Sequence, residues 1–382
     1  LFKEQQYMCG ICGEIRFKDT RVDESKMRHM MKSIAKRGPD HSDEYQHNNV
    51  YLGHRRLSII DISSKSHQPM VDEKSKKAIV FNGVIYNYKE IRELLLKKGY
   101  IFSSDGDTEV ILKSYDYYGE DCVKYLDGVF SFCIYDLNTK KLFLARDRLG
   151  IKPLYYKLDN KHFAFASNTK ALIGRNDNEI NHESLHHQFT LHSVVPAPNT
   201  ILKNIYKLEP GHSVTVASNG KVLKTKYYAL DDIEINYNIK ENEIIEESER
   251  LLMNAIEKRF YTADVDVGVL LSGGLDSSLI VAMAAKSKLS KINTFSIGFP
   301  TINDEVGDEF YYSDIVSKQF NTNHYKYNIN QDHLMESLDD VIREMPEPMF
   351  SQDSSAFYLL AKEVSKHQKV VLSGQGADEL FG

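Results

Sequence analysis

Cys9 stands between Met8 and Gly10 near the start of the chain. A thiol becomes a nucleophile once a base takes its proton. Removal of Met8 would make Cys9 the first residue. Its own α-amine, with a reference pKa of roughly 8, could then accept the thiol proton directly or through water. Such a site needs no histidine, and the small Gly10 lets the backbone enter a tight site. A second constellation is Ser272-Gly273-Gly274-Leu275-Asp276-Ser277-Ser278. Its glycines allow close backbone approach, its serines supply hydroxyls, and a helix starting at Ser277 would add free N–H groups and a positive dipole end. That combination suits pyrophosphate. The lysine of the G-x-x-x-x-G-K-[ST] loop is missing, so this is a different phosphate loop. Asp276 makes sense beside an anion if a Mg²⁺ is shared with the phosphates.

The elements that must position these residues are readable from hydrophobic spacing. Around Cys9 the pattern predicts strands at 11–17, 50–52, 57–60, 78–81, 130–136, 141–146 and 163–167, with helices at 23–36, 88–97 and 108–118. Many strands with a few helices imply an α+β layered domain. Residues 175–235 change character. Asn176-Asp177-Asn178, Pro196-Ala197-Pro198 and Ser218-Asn219-Gly220 are breakers between short strands in it. The stretch reads as a passage between domains, with a loop-rich edge of one domain as the other reading. From Glu241 onward the pattern becomes α/β. A helix around 244–256 precedes a near-continuous apolar strand at 265–271, a helix at 277–286, a strand at 294–299, helices at 311–320 and 353–365, and a strand at 370–372. This alternation predicts a parallel sheet with binding loops at the strand C-termini.

Bulk properties exclude several classes. The length of 382 residues suits two domains. A net charge of −6 gives no basic surface for nucleic acid, and no apolar run reaches the roughly 18 residues of a membrane span. The polar first residues are no signal peptide. Four cysteines, Cys9, Cys12, Cys122 and Cys133, are too few for a disulfide scaffold and fit a reducing cytoplasm. Cys9-x-x-Cys12 has no second pair for zinc, and His186-His187 has no third ligand at metal spacing. Asp339-Asp340 with Glu344 and Glu347 reads as a solvated helix face. The chain starts at Leu1 and stops at Gly382 inside a glycine-rich motif, so a fragment of a longer product is expected, with Met8 as its true start.

Six ordered motifs carry a resemblance: Met8-Cys9-Gly10-Ile11-Cys12-Gly13, Arg37-Gly38-Pro39-Asp40, Gly53-His54-Arg55-Arg56-Leu57-Ser58-Ile59, Phe81-Asn82-Gly83-Val84-Ile85-Tyr86-Asn87, Gly106-Asp107-Thr108-Glu109-Val110, and the stretch from Ala145 to Tyr156. Together they resemble the N-terminal-nucleophile (Ntn) glutaminase domain of the class II amidotransferases, in its asparagine synthetase form. The loop at Ser272, the strand Thr294-Phe295-Ser296-Ile297-Gly298-Phe299, and the run from Val371 to Gly382 resemble the nucleotide motifs of the ATP pyrophosphatases. The resemblance implies an α+β Ntn four-layer glutaminase domain followed by an incomplete α/β parallel-sheet ATP-pyrophosphatase domain. The corresponding boundaries are an extension at 1–7, the amidotransferase domain at 8–175, a connecting segment at 176–235 and the partial synthetase domain at 236–382.

What the resemblance implies about roles follows the motifs. Cys9 would attack the glutamine side-chain amide, with Asn82 and the Gly83 N–H as oxyanion hole. Arg56, Ile60, Asn82, Gly83, Val84 and Asp107 would bind glutamine, Arg56 at the α-carboxylate and Asp107 at the α-ammonium. Leu271, Ser272, Gly273, Gly274, Asp276, Ser277, Ile297, Ser373 and Gly374 would contact ATP, and Asp276 and Asp378 would carry Mg²⁺. The expected activity is cytoplasmic synthesis of asparagine from aspartate, glutamine and ATP, with no nucleic-acid or membrane partner; a homodimer is one assembly open to it. A related amidotransferase with another carboxylate acceptor, or an inactive regulatory module, is the alternative. Two positions depart from the pattern. Val84 stands where the family usually has Glu, which leaves Asp107 as the main carboxylate for the substrate amine. Gln375 stands where many relatives have an acid, and an amide cannot act as a base.

Overall fold

The computed structural model describes residues 8–18, 21–174, 179–287, 291–300, 310–349, 351 and 353–381. They divide into two compact units, one from the described residues of 7–233 with 346–350, the other from those of 234–345 and 351–382.

The first unit begins with β1 (Gly10–Arg16), α1 (Glu24–Ser33), β2 (His41–His47), β3 (Val50–Arg56), β4 (Met70–Asp72) and β5 (Lys77–Ile85). It continues with α2 (Tyr88–Lys97), α3 (Asp107–Tyr118), β6 (Gly128–Asp136), β7 (Lys141–Arg146), β8 (Tyr155–Leu158) and β9 (His162–Ala166). It closes with α4 (His182–Thr190), β10 (Tyr206–Lys207), β11 (His212–Ala217) and β12 (Val222–Lys226). Two six-stranded sheets result, in the orders β10-β8-β9-β1-β3-β2 and β12-β11-β7-β6-β5-β4, with every pairing antiparallel.

Alternation along the central strands explains the layering. Ala78 and Val80 of β5, Cys133 and Tyr135 of β6, and Leu142 and Leu144 of β7 pack with Ile11, Ile15, Val50, Leu52, Phe163 and Phe165 of the other sheet. The intervening residues, such as Ile79, Phe81, Phe132, Ile134 and Phe143, join Ile91 and Leu95 of α2 and Val110 and Ile111 of α3. On the far side, Met27, Met30 and Met31 of α1 cover Cys12, Tyr51, Ala164 and Ala166. The order is helix, sheet, sheet, helix, which is the expected four-layer arrangement. Strands buried on both faces read as continuous apolar runs, and each side chain so buried contributes about 1.5–3 kcal/mol. Asp23 caps α1, its side chain accepting from Ser25 N at 2.9 Å and Lys26 N at 3.2 Å.

The fold departs from expectation at three places. Residues 57–60 form no strand; they are a loop pinned by Asp40 Oδ2, which accepts from Ser58 N at 2.7 Å, and by the Arg56 guanidinium. The stretch expected to connect two domains instead supplies α4, β10, β11 and β12 to the first unit. β11 extends a sheet by pairing with β7 from Ser213↔Ala145 to Ala217↔Lys141, and Val214 and Val216 enter the inter-sheet core. The described part of this stretch thus lies within the first unit; Asn176, Asp177 and Asn178 lie outside the described residues. Glu347, expected on a solvated helix face, instead packs in the first unit. Its Oε1 accepts from Ile201 N at 3.1 Å and its Oε2 lies 2.7 Å from Lys207 Nζ.

The second unit comprises α5 (Glu241–Thr262), β13 (Val267–Leu270), α6 (Leu275–Lys286), β14 (Asn293–Gly298) and α7 (Phe310–Phe320). It continues with β15 (Asn323–Asn328), α8 (Gln331–Glu344), α9 (Asp353–Val364), β16 (Val370–Leu372) and α10 (Asp378–Phe381). Its four strands are parallel in the order β15-β14-β13-β16. Ile256, Val281, Met283 and Ala284 pack on one face, and Leu360 and Val364 on the other. The chain runs from β13 outward to β14 and β15, then returns to the opposite side of β13 as β16. This places a topological switch point at the C-terminal end of β13, where open α/β sheets bind their ligands.

Candidate active sites

Cys9 directly precedes β1, and its backbone is fixed by Arg37 Nε donating to its carbonyl at 3.1 Å. Its Sγ accepts from the Leu57 backbone N at 3.4 Å, so the 57–60 loop cradles the thiol. A cavity of about 60 Å³ opens there. Its walls come from Met8 and Cys9, the end of β3 with its following loop (Arg56, Leu57, Ile59, Ile60), β5 (Phe81 to Val84), the first turn of α3 (Asp107, Thr108) and Lys152. Burial pushes the Cys9 thiol up from its ordinary value; the Leu57 N–H and the Arg56 and Arg37 charges pull it back, and Asp107 adds to the rise. The thiol therefore keeps its proton until a base takes it. Among the described residues on the cavity wall there is no histidine, and Asp107 is the only carboxylate.

Asn82 sits within β5, 1% exposed, and its Nδ2 is buried with no hydrogen-bond partner. A buried amide N–H without an acceptor is costly unless a ligand supplies one. Gly83 follows, opposite Phe130; a Cβ there would lie 2.2 Å from the Val129 carbonyl oxygen, so only glycine fits. Asp107 is the first residue of α3. Its Oδ2 accepts from Ile85 N at 3.0 Å, and burial pushes its carboxyl up to about 7 despite the N–H groups of Ile85 and Thr108 and the charge of Arg56. Gln68 ties β5 to α3: its Oε1 accepts from Phe81 N at 2.6 Å and its Nε2 donates to Thr108 Oγ1 at 3.1 Å. Arg56, 3% exposed, donates through Nη1 to Ser63 O at 2.8 Å and through Nη2 to the carbonyls of Ile60 and Asp61. Of the five N–H donors of a guanidinium, these bonds use three.

Every glutamine-site residue expected from the sequence, Cys9, Arg56, Ile60, Asn82, Gly83, Val84 and Asp107, lines this one cavity. The Val84 side chain also packs against the core under α2 and α3. Lys152, Gln68, Ser66 and Thr108 were not singled out. Lys152 stands within a quoted motif, and a lysine inside the otherwise apolar Leu149–Tyr156 run was the available signal.

The second cavity, about 560 Å³, lies at the switch point of the parallel sheet. Leu271, Ser272, Gly274, Asp276, Ser277, Ile297, Ser373, Gly374 and Asp378 all line it. Gly273 does not. It turns with φ +94°, and a Cβ there would sit 2.6 Å from Ser313 N at the start of α7, so it shapes the loop and lets it pack. Ser272 Oγ lies 3.0 Å from Ser277 Oγ and accepts from Gly274 N at 3.3 Å, while Ser373 Oγ accepts from Gln375 N at 3.2 Å. Phe295 and Phe299, both within the quoted strand motif, add an apolar wall together with Phe357 and Leu360, for which the sequence carries no motif. Asp276 and Asp378 of this lining carry hard oxygen donors of the kind Mg²⁺ takes. Among the described residues no group of three or more His, Cys, Asp or Glu side chains could hold a metal. An ion here would thus complete its shell from phosphates and water, which fits a nucleotide-borne Mg²⁺. All four cysteines are free, with Cys12, Cys122 and Cys133 fully buried. No helix of the described residues is long and apolar enough to cross a membrane.

Comparison with known proteins gives two family matches, a glutamine amidotransferase domain over residues 8–228 and asparagine synthase over residues 247–382. A Methanocaldococcus jannaschii protein provisionally named a glutamine-hydrolysing asparagine synthetase is 38% identical over 400 residues, covering 98% of this chain and 75% of its own. Glutamine-hydrolysing asparagine synthetases 1 and 3 of Bacillus subtilis are 36% and 32% identical; each match covers 98% of this chain, with 58% and 63% of the relative.

Proposed function

The chain belongs to the glutamine-hydrolysing asparagine synthetase family, and from that premise we propose that it makes asparagine from aspartate with glutamine as nitrogen donor and ATP as activator. It spans 58% to 75% of the length of these relatives. In this reading Cys9, freed as the first residue by loss of Met8, passes its thiol proton to its own α-amine and attacks the glutamine amide carbon. The tetrahedral oxygen takes hydrogen bonds from Asn82 Nδ2 and the Gly83 N–H, each worth a few kcal/mol, about 3, where charge develops. The C–N bond breaks, ammonia leaves with the returned proton, and water cleaves the γ-glutamyl thioester to glutamate. Asp107 holds the substrate α-ammonium. Arg56 faces its α-carboxylate with the N–H groups not used on the 60–63 loop.

At the second cavity the Ser272–Ser277 loop and the N-terminus of α6 hold the ATP phosphates, and Ile297 with the phenylalanine wall holds the base. Asp276 and Asp378 would hold a Mg²⁺, which would supply positive charge to the phosphates. The aspartate side-chain carboxylate is adenylated there, and ammonia displaces AMP. Four free thiols fit a cytoplasmic setting for this chemistry.

The observation that carries the reading is the unpartnered, buried Asn82 Nδ2 on the wall shared with Cys9 and a single carboxylate. The test supplies glutamine, aspartate and ATP·Mg²⁺ to the complete gene product and looks for asparagine with AMP by mass spectrometry. Both are expected. Glutamate without asparagine would keep the glutaminase half and move the acceptor to another carboxylate.

A further inference from the structure

Lys152 is 7% exposed and lines the Cys9 cavity. Its backbone is held from both sides. Asp147 Oδ2 accepts from Lys152 N at 2.9 Å, Asp147 Oδ1 accepts from Ile151 N at 2.9 Å, and Arg146 Nε donates to Lys152 O at 2.9 Å. The side chain is thereby aimed, and its Nζ lies 2.8 Å from Met8 Sδ. Met8 is the residue whose loss exposes the Cys9 α-amine. With Cys9 as the first residue, the ammonium stays on the wall of the cavity that Cys9 also lines.

We propose that Lys152 is a positioning residue for the glutaminase nucleophile: its fixed positive charge keeps the Cys9 α-amine neutral and so able to take the thiol proton. This rests on the α-amine reading above. Among the described residues, the charged or titratable groups around Cys9 are Arg37 from the turn after α1, Arg56 and the buried His54 from β3, Asp107 from α3, and Lys152 from the loop after β7. Burial pulls His54 down to about 3, so it is neutral at working pH. Arg37 is tied to the Cys9 carbonyl and Arg56 to the 60–63 loop, while Lys152 is the cation placed against Met8. A like charge in a water-poor cavity disfavours the ammonium form of the amine, and an amine with a reference pKa of roughly 8 needs such help to be neutral at pH 7. No proton leaves Lys152 in this scheme; the thiol proton moves to the Cys9 nitrogen and later to the departing ammonia.

The experiment uses the complete protein with Cys9 verified as its first residue by mass spectrometry. Glutamate release is measured against pH for the parent, Lys152→Met, which keeps the stem and loses the charge, and Lys152→Arg, which keeps the charge. Lys152→Met should move the acidic limb of kcat, measured with Asp107 held ionised by the bound substrate ammonium, up by about one pH unit, an approximately tenfold loss below the limb, with a plateau within about threefold of the parent. Lys152→Arg should leave the limb in place. An unmoved limb in Lys152→Met, or an equal shift in both variants, overturns the proposal. A titration of the parent by NMR with ¹⁵N-labelled cysteine gives a check that needs no variant: an α-amine pKa at or above roughly 8 also overturns it. An active enzyme that retains Met8 would instead overturn the α-amine reading itself, a result separable from an unmoved limb with Cys9 first.

Discussion

The cavity at Cys9 measures about 60 Å³ and the cavity at the Ser272 loop about 560 Å³, and their walls differ as much as their sizes. At the first, Asn82, Arg56, Asp107 and Lys152 are between 1% and 7% exposed and stand on a strand, a strand end, a first helical turn and a pinned loop. At the second, Ser272, Gly274, Ser373, Gln375 and Asp378 are exposed and stand on loops or a short helix at strand C-termini. The difference follows the chemistry proposed for each. A covalent step that builds charge on one oxygen gains most from fixed dipoles in a low-dielectric pocket. A nucleotide brings its own charges and metal, and needs room and backbone N–H groups.

If that contrast is right, single deletions should hurt most in the small cavity. Asn82→Ala should lower kcat for glutamine hydrolysis by about 10²–10³-fold with little change in KM, measured by glutamate release; a KM effect alone would place Asn82 in ground-state binding. Asp107→Asn should lower kcat/KM for glutamine by about 10²-fold, and in the parent kcat/KM should fall as pH drops through about 7, where Asp107 takes up a proton. Stability should move oppositely. Folding raises this carboxyl from 3.8 to about 7, so the folded state binds the extra proton; its stabilising effect is fullest below about 4 and fades as pH rises to 7. Thermal unfolding of Asp107→Asn at pH 7.5 should therefore show a gain on the order of 2–4 kcal/mol that shrinks toward pH 4.

In the open cavity water and phosphate can partly replace a lost group. Asp276→Asn should slow pyrophosphate release about tenfold and raise the Mg²⁺ needed for half-maximal rate, leaving glutamine hydrolysis without ATP within about twofold of the parent. The smallest effect belongs to the pair Glu347–Lys207, whose side chains are 11% and 15% exposed. Glu347→Gln should cost the first unit about 1 kcal/mol by thermal unfolding and leave its glutaminase kinetics in place.

Both sites were legible because their residues fall in short ordered motifs, and the strands carrying them are buried on both faces and so read as apolar runs. What was not legible is edge structure. β2 (His-Ser-Asp-Glu-Tyr-Gln-His) and β12 (Val-Leu-Lys-Thr-Lys) lie at sheet edges with mostly exposed side chains, so hydrophobic spacing carries no trace of them. Short strands between breakers, without a clear partner sheet in the sequence, make residues 176–235 look like a connection. Glu347 was read as solvated because its partners, Lys207 and the Ile201 N–H, are well over a hundred residues away in sequence. Lys152 carries no sequence signal of its role for a similar reason: its contact is with Met8, which only the fold brings to it.

The most direct measurement of the central claim is rapid acid quench of the complete enzyme turning over glutamine, followed by digestion and peptide mass spectrometry. The account predicts a γ-glutamyl thioester on a peptide that begins at Cys9, absent from Cys9→Ala. A thioester on another residue, or an active enzyme whose modified peptide still carries Met8, would contradict it.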